Sequence, residues 1–178
     1  MMAMKFEELV RGELLCLLDG PSGRKNDRSL GCVRFSVRCP FGAASVLNKA
    51  KSVLIALDEQ ILLPQVKRRQ WREVLPTWFC DECAPRMSSA QAEQLLACWR
   101  MMTESEKEKS ELEKQWSLDD WLYWVANDSR QWYWWDAYIS DDGESMAVAV
   151  QVLSWPFAWG ALRWLFTASG AAAVLPEK

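Results

Sequence analysis

The residues best placed to do chemistry are few, and the first are the pair in Cys80-Asp-Glu-Cys83. Two thiols three positions apart can ligate zinc or form a redox couple. A zinc site needs four donors, and the chain has no His. Cys32 and Cys39, or carboxylates, would have to complete it. There is no second CxxC. The preceding Trp78-Phe79 reads as helix, whereas a thioredoxin-like motif follows a strand. Two small buried thiols in an apolar helix are the simpler expectation. A zinc- or redox-dependent regulator using Cys80 and Cys83 stays as an alternative, with Cys32 and Cys39 as the further candidate ligands.

The missing His also removes the commonest general base. The sequence carries no Gly-rich phosphate loop, nucleophile elbow or metalloprotease pair. The carboxylates Asp119, Asp120, Asp136, Asp141, Asp142 and Glu144 could supply an acid and a base. Asp119 and Asp120 already suit the first turn of a helix opened by Ser117. Asp141, Asp142 and Glu144 suit a tight turn around Gly143. Asp136 has no such role. A carboxylate in mid-strand is either solvated or buried against a cation, and Arg130 and Arg163 are the candidate partners. An enzyme with a carboxylate-based site around Asp136 is a second alternative. No cofactor is expected. The one basic cluster, Lys67-Arg68-Arg69-Gln70-Trp71-Arg72, could meet single strands, but the solvated face of a helix is the plainer reading.

Charge sorts the remaining function classes. Residues 1–90 carry 14 Lys and Arg against 10 Asp and Glu, and residues 91–178 carry 7 against 14, so +4 and −7 sum to the chain's −3. Concentrated positive charge is what phosphate binding needs, so no nucleic-acid partner is expected. An acidic surface offered to a basic partner fits better. Glu7, Glu8 and Glu13 occupy the place of a signal core, which points to a cytoplasmic location and reduced thiols. Gln151, Ser154 and Pro156 interrupt the apolar run after Ser145, so no membrane span is expected.

The elements that must position these residues follow from periodicity. Phe6, Leu9, Val10, Leu14, Leu17 and Leu18 predict a helix over 6–18, ended by Gly20-Pro21, with a polar loop to Ser29. Val33, Phe35 and Val37 alternate with Arg34, Ser36 and Arg38, which predicts a half-buried strand over 32–39. Helices are predicted over 43–58, over 66–75 and from Pro76. Ser88 or Ser89 caps another that runs to Met102, with Ala92, Leu95, Leu96 and Trp99 as its buried stripe. The segment 103–115 is charged throughout, a solvated helix or a connector. Ser117 caps a helix with Leu118, Trp121, Leu122 and Val125 on one face. The period then changes to two. Strands over 132–139 and 146–153 make a hairpin, and Pro156 opens a last helix that Gly170 closes. The fold class is therefore α+β, a mostly helical single domain over 1–178 with a C-terminal antiparallel hairpin packed by the last helix. Within it, 1–102 is a basic helical half, 103–115 a charged connector and 116–178 a Trp-rich half.

Nine of the 12 Trp lie between positions 116 and 164. A buried aromatic removes about 150–250 Å² from water, so core packing explains most of them. Those beside loops, Trp116, Trp132 and Trp155, are the candidates for an exposed patch, together with the acidic turn Asp141, Asp142 and Glu144. The segments Trp132-Tyr-Trp-Trp-Asp-Ala137 and Trp155-Pro-Phe-Ala-Trp-Gly-Ala-Leu-Arg-Trp164 give the chain a profile that resembles bacterial polymorphic-toxin immunity proteins. The resemblance covers the last third of the chain. It implies a non-catalytic, cofactor-free protein that inhibits a cognate toxin stoichiometrically.

Overall fold

The computed structural model describes residues 2–21 and 30–178. The loop expected over 22–29 lies outside them. Alternation builds β1 (Gly31–Arg38), with Phe35 and Val37 fully buried and Arg34, Ser36 and Arg38 exposed. β2 (Trp132–Ile139) and β3 (Ser145–Val152) form the expected hairpin. β3 sends Met146, Val148, Val150 and Val152 into the core. β4 (Ala173–Pro176) was hidden in a short apolar tail. The four strands form one antiparallel sheet in the order β2-β3-β1-β4. β1, from the N-terminal half, lies between the two C-terminal strands β3 and β4.

Helices complete the domain. α1 (Met2–Asp19) packs on β2 and on α2 (Ala43–Leu62). The buried face of α2 includes Val46, Ala50, Val53, Leu54, Leu57 and Ile61 at helical spacing. α7 (Leu118–Val125) opens at Ser117, whose hydroxyl accepts the Asp120 N–H. Its Trp121 is fully buried, donates to Ala161 O at 3.0 Å and stacks edge-on against Phe79 at 4.8 Å. That ties α7 to α8 (Gly160–Ala168), which Gly170 ends at φ 109°. The fold is thus α+β, mostly helical, with the hairpin and last helix in one core. No described helix is long and apolar enough to cross a membrane.

Three local expectations need correction. The helix over 66–75 shrinks to a 3₁₀ turn at Gln65–Lys67 and one turn, α3 (Trp71–Val74). Arg68 instead reaches back to the carbonyls of Ile61 and Leu63, so the basic cluster ends α2. The last helix begins at Gly160, four residues after Pro156. Before it, Phe157 and Trp159 fold back on Phe35, with ring centroids 6.2 and 5.4 Å apart. The largest correction concerns α5 (Ser89–Met101) and α6 (Glu104–Glu113). Neither helix contains a buried residue, so the expected buried stripe lies open.

Candidate functional site

Asp136 is exposed because β2 slips its register. Trp132 and Trp134 face Val152 and Val150 on the core side. Strict alternation would put Asp136 on that side too. A bulge at Trp135 shifts the phase, so Asp136 pairs with Ala149 and Ala137 faces Val148. The Asp136 carboxylate accepts its neighbour's N–H, from Ala137. Neither Arg130 nor Arg163 pairs with it. Arg163 donates both terminal nitrogens to the carbonyls of Glu111 and Leu112.

Arg130 is fully buried with two carboxylates that the sequence did not single out for it. Its Nη2 lies 2.7 Å from Glu13 Oε1 on α1, and its Nη1 lies 3.3 Å from Asp58 Oδ1 on α2. Its Nε donates to Trp132 O at 2.9 Å, and the guanidinium stacks on Trp132 and Tyr133, 4.9 Å from each ring. Glu13 Oε1 also accepts the Trp134 N–H at 2.6 Å. The triad therefore joins α1, α2 and the start of β2. Side-chain exposure is zero at all three ion-pair partners, so no substrate reaches them. Burial pushes Asp58 well above its ordinary value, and Glu13 adds to the rise. Tyr133 is pushed up to about 12 by the same burial. The sequence signal was faint but present: Glu13 and Asp58 each interrupt the apolar spacing of a helix.

The thiols do not converge. Cys80 and Cys83 are buried on and just after α4 (Thr77–Glu82), Cys39 is buried and Cys32 is exposed. Among the described residues no group of three or more Cys, Asp or Glu could hold a metal ion. Burial pushes Cys83 up to about 11, against a downward pull from the Trp164 indole. Burial also raises Cys80. Thiols held protonated are poor nucleophiles.

The acidic turn and the three Trp separate. Asp141, Asp142 and Glu144 are exposed at one end of the hairpin. Asp142 closes the turn itself, accepting from the Ser140 hydroxyl and the Glu144 N–H. Those two donors hold its carboxyl below the ordinary range. Trp132 pairs with Val152 at the far end of the strands, and Trp155 follows β3 there. Eight strand residues at about 3.3 Å each put roughly 25 Å between the two ends. Trp132 and Trp116 are buried, which corrects their placing as exposed rings; Trp155 is 56% exposed. Trp116 sits so close to Gly160 that a Cβ there would lie 2.8 Å from its ring.

The surface that gathers apolar and charged groups is the arm formed by α5 and α6. It leaves the body at Ala84 and returns at Ser117, which form a parallel bridge, with Ala84 N–H donating to Trp116 O at 2.8 Å. Gln115 adds a bond to Glu82 O. Both helices open with reciprocal capping boxes, Ser88 with Gln91 and Thr103 with Glu106. Between them runs a groove of about 940 Å³. Ala92, Leu95, Leu96, Trp99 and Met102 form one wall, and Glu106, Lys109, Ser110 and Glu113 form the other. Leu95, Leu96 and Met101 are 50%, 47% and 87% exposed. No family model, curated protein or solved structure matches the chain.

Proposed function

We propose that this chain is a protein-binding protein of the immunity type, which holds a basic partner and docks it on the α5–α6 arm. One observation carries the reading: the apolar stripe of α5 is regular, well capped and open along its length. An amphipathic helix with no buried residue has the form of half an interface. The groove, apolar on one wall and charged on the other, suits an amphipathic helix laid along it. Leu95, Leu96 and Trp99 supply anchors of the kind that set dissociation.

The charge of the partner follows from the surroundings. Residues 88–115 hold six acidic and four basic side chains, net −2, within a C-terminal half of net −7. Such a field speeds the approach of a basic protein. The acidic turn lies in that same half and adds to the field, although its large rings are elsewhere. Neither the buried thiols nor the solvated Asp136 favours the redox or enzymatic alternatives.

Affinity capture from the source organism, then reconstitution with the captured protein, tests the reading. A one-to-one complex with a protein of net positive charge, forming more slowly as salt rises, supports it. An acidic partner, or a complex whose association ignores salt, counts against it.

A further inference from the structure

We propose that Glu13 and Asp58 hold a single proton between them in the folded protein at neutral pH, so that the core site is neutral and the proton acts as a ligand joining α1 to α2. The geometry assigns the roles. One guanidinium faces two carboxyl groups in a site with no solvent exposure. Three charged groups would leave a net −1 in the core, which burial strongly disfavours. Glu13 Oε2 and Asp58 Oδ2 are both buried without an ordinary hydrogen-bond partner. Two ionised carboxylates cannot bond each other; a proton on one of them lets the Glu13 and Asp58 side chains, which interact, share a hydrogen bond.

Glu13 is the ionised member. Its Oε1 accepts the shorter Arg130 contact, 2.7 Å, and the Trp134 N–H at 2.6 Å. Among the described residues Asp58 accepts from one donor, Arg130 Nη1, at 3.3 Å. Donors favour the charged form, so the proton resides on Asp58. Burial raises both carboxyls, Glu13 against the pull of Arg130 and the Trp134 N–H, and Asp58 well above its ordinary value with the Glu13 charge adding to the rise, in agreement with this assignment. The groups bearing on the site are Glu13 from α1, Asp58 from α2, and Arg130 and Tyr133 at the start of β2, with Asp128 acting on Tyr133.

The consequence is a pH dependence of fixed sign. The unfolded chain releases this proton near pH 4, the ordinary carboxyl range, while the folded chain keeps it. Stability from the site is complete below that range and is lost as pH rises through the folded-state value. The unfolding constant therefore climbs up to about tenfold per pH unit. No imidazole titrates in the window from about pH 5 to 8, because the chain has no His. Glu106 and Asp142, whose carboxyls are lowered, act below it.

Urea unfolding of the full chain across that window tests the proposal, with Asp58→Asn alongside. The amide offers an N–H where the acid offered O–H and does not titrate. The wild type should lose stability toward pH 8, and the Asn variant should stay folded with a flat profile. Identical profiles for the two would overturn the proposal. Should the Asn variant not fold, the 13C carboxyl shift of wild-type Asp58 at pH 7 decides. A protonated shift supports the shared proton, and a carboxylate shift refutes it.

Discussion

Replacing Arg130 by Met keeps an unbranched apolar stem out to the position of Nε and removes the charge and the donors. The loss can be worked from the contacts. Arg130 donates to Glu13, Asp58 and Trp132 O from a fully buried position. Removing one side of a buried ion pair costs about 3–5 kcal/mol. Proton uptake sets a limit on the charge part. Glu13 can escape as the neutral acid, and from an ordinary value near 4.3 that costs about 2.7 × 1.36, or about 3.7 kcal/mol, at pH 7. At pH 5 the same escape costs about 1 kcal/mol. The orphaned Trp132 carbonyl adds about 1–3 kcal/mol at either pH, partly recovered by relaxation. Arg130→Met should therefore cost about 4–5 kcal/mol at pH 7 and about 2.7 kcal/mol less at pH 5. The sign follows from linkage: with Glu13 also protonated, the variant's folded state binds one proton more than the wild type's, while the unfolded states match, so its stability falls faster as pH rises. Urea unfolding followed by circular dichroism at both pH values measures the two numbers. A loss below about 1 kcal/mol at pH 7, or equal losses at pH 5 and 7, would refute the reasoning.

Leu95→Ser with Leu96→Ser should change stability by less than about 1 kcal/mol, because both residues lie about half exposed on the arm; Leu57→Ala, fully buried on α2, should cost about 2–5 kcal/mol in the same urea titration. Gly160→Ala should cost about 1–3 kcal/mol and alter Trp fluorescence, because its Cβ would meet the Trp116 ring at 2.8 Å. In the folded protein a thiol reagent should modify the exposed Cys32 and Cys98 first, and Cys80 and Cys83 only on unfolding; fast labelling of Cys83 would contradict its burial.

Much of the fold was legible because periodicity reports burial directly. Val33, Phe35 and Val37 marked β1, and the change of period near residue 130 marked the hairpin. What period cannot show is which elements meet. That β1 lies between β3 and β4 depends on contacts more than a hundred residues apart. The bulge at Trp135 leaves no mark in a run that is apolar on both faces, so Asp136 could not be placed from sequence. Arg130 was one of two candidate partners for a buried Asp136, yet its carboxylates come from α1 and α2. The α5 stripe is the instructive failure. Ala92, Leu95, Leu96 and Trp99 have the spacing of a core face, and periodicity does not distinguish a face packed within the chain from one offered to a partner. The acidic turn was placed correctly on the surface, but strand length separates it from Trp132 and Trp155.

The most direct measurement of the central claim compares three proteins against the captured partner in one titration: the wild type, Leu95→Glu with Leu96→Glu, and Asp141→Lys with Glu144→Lys, which leaves the turn-closing Asp142 in place. All three should share one circular dichroism spectrum, since every altered side chain is exposed. Docking on the arm predicts that the double-Glu variant loses at least about tenfold in affinity, chiefly through faster dissociation. The double-Lys variant should keep its dissociation rate and only associate more slowly at low salt. Wild-type affinity in the double-Glu variant, with binding lost in the double-Lys variant, would contradict the account and place the interface at the hairpin turn.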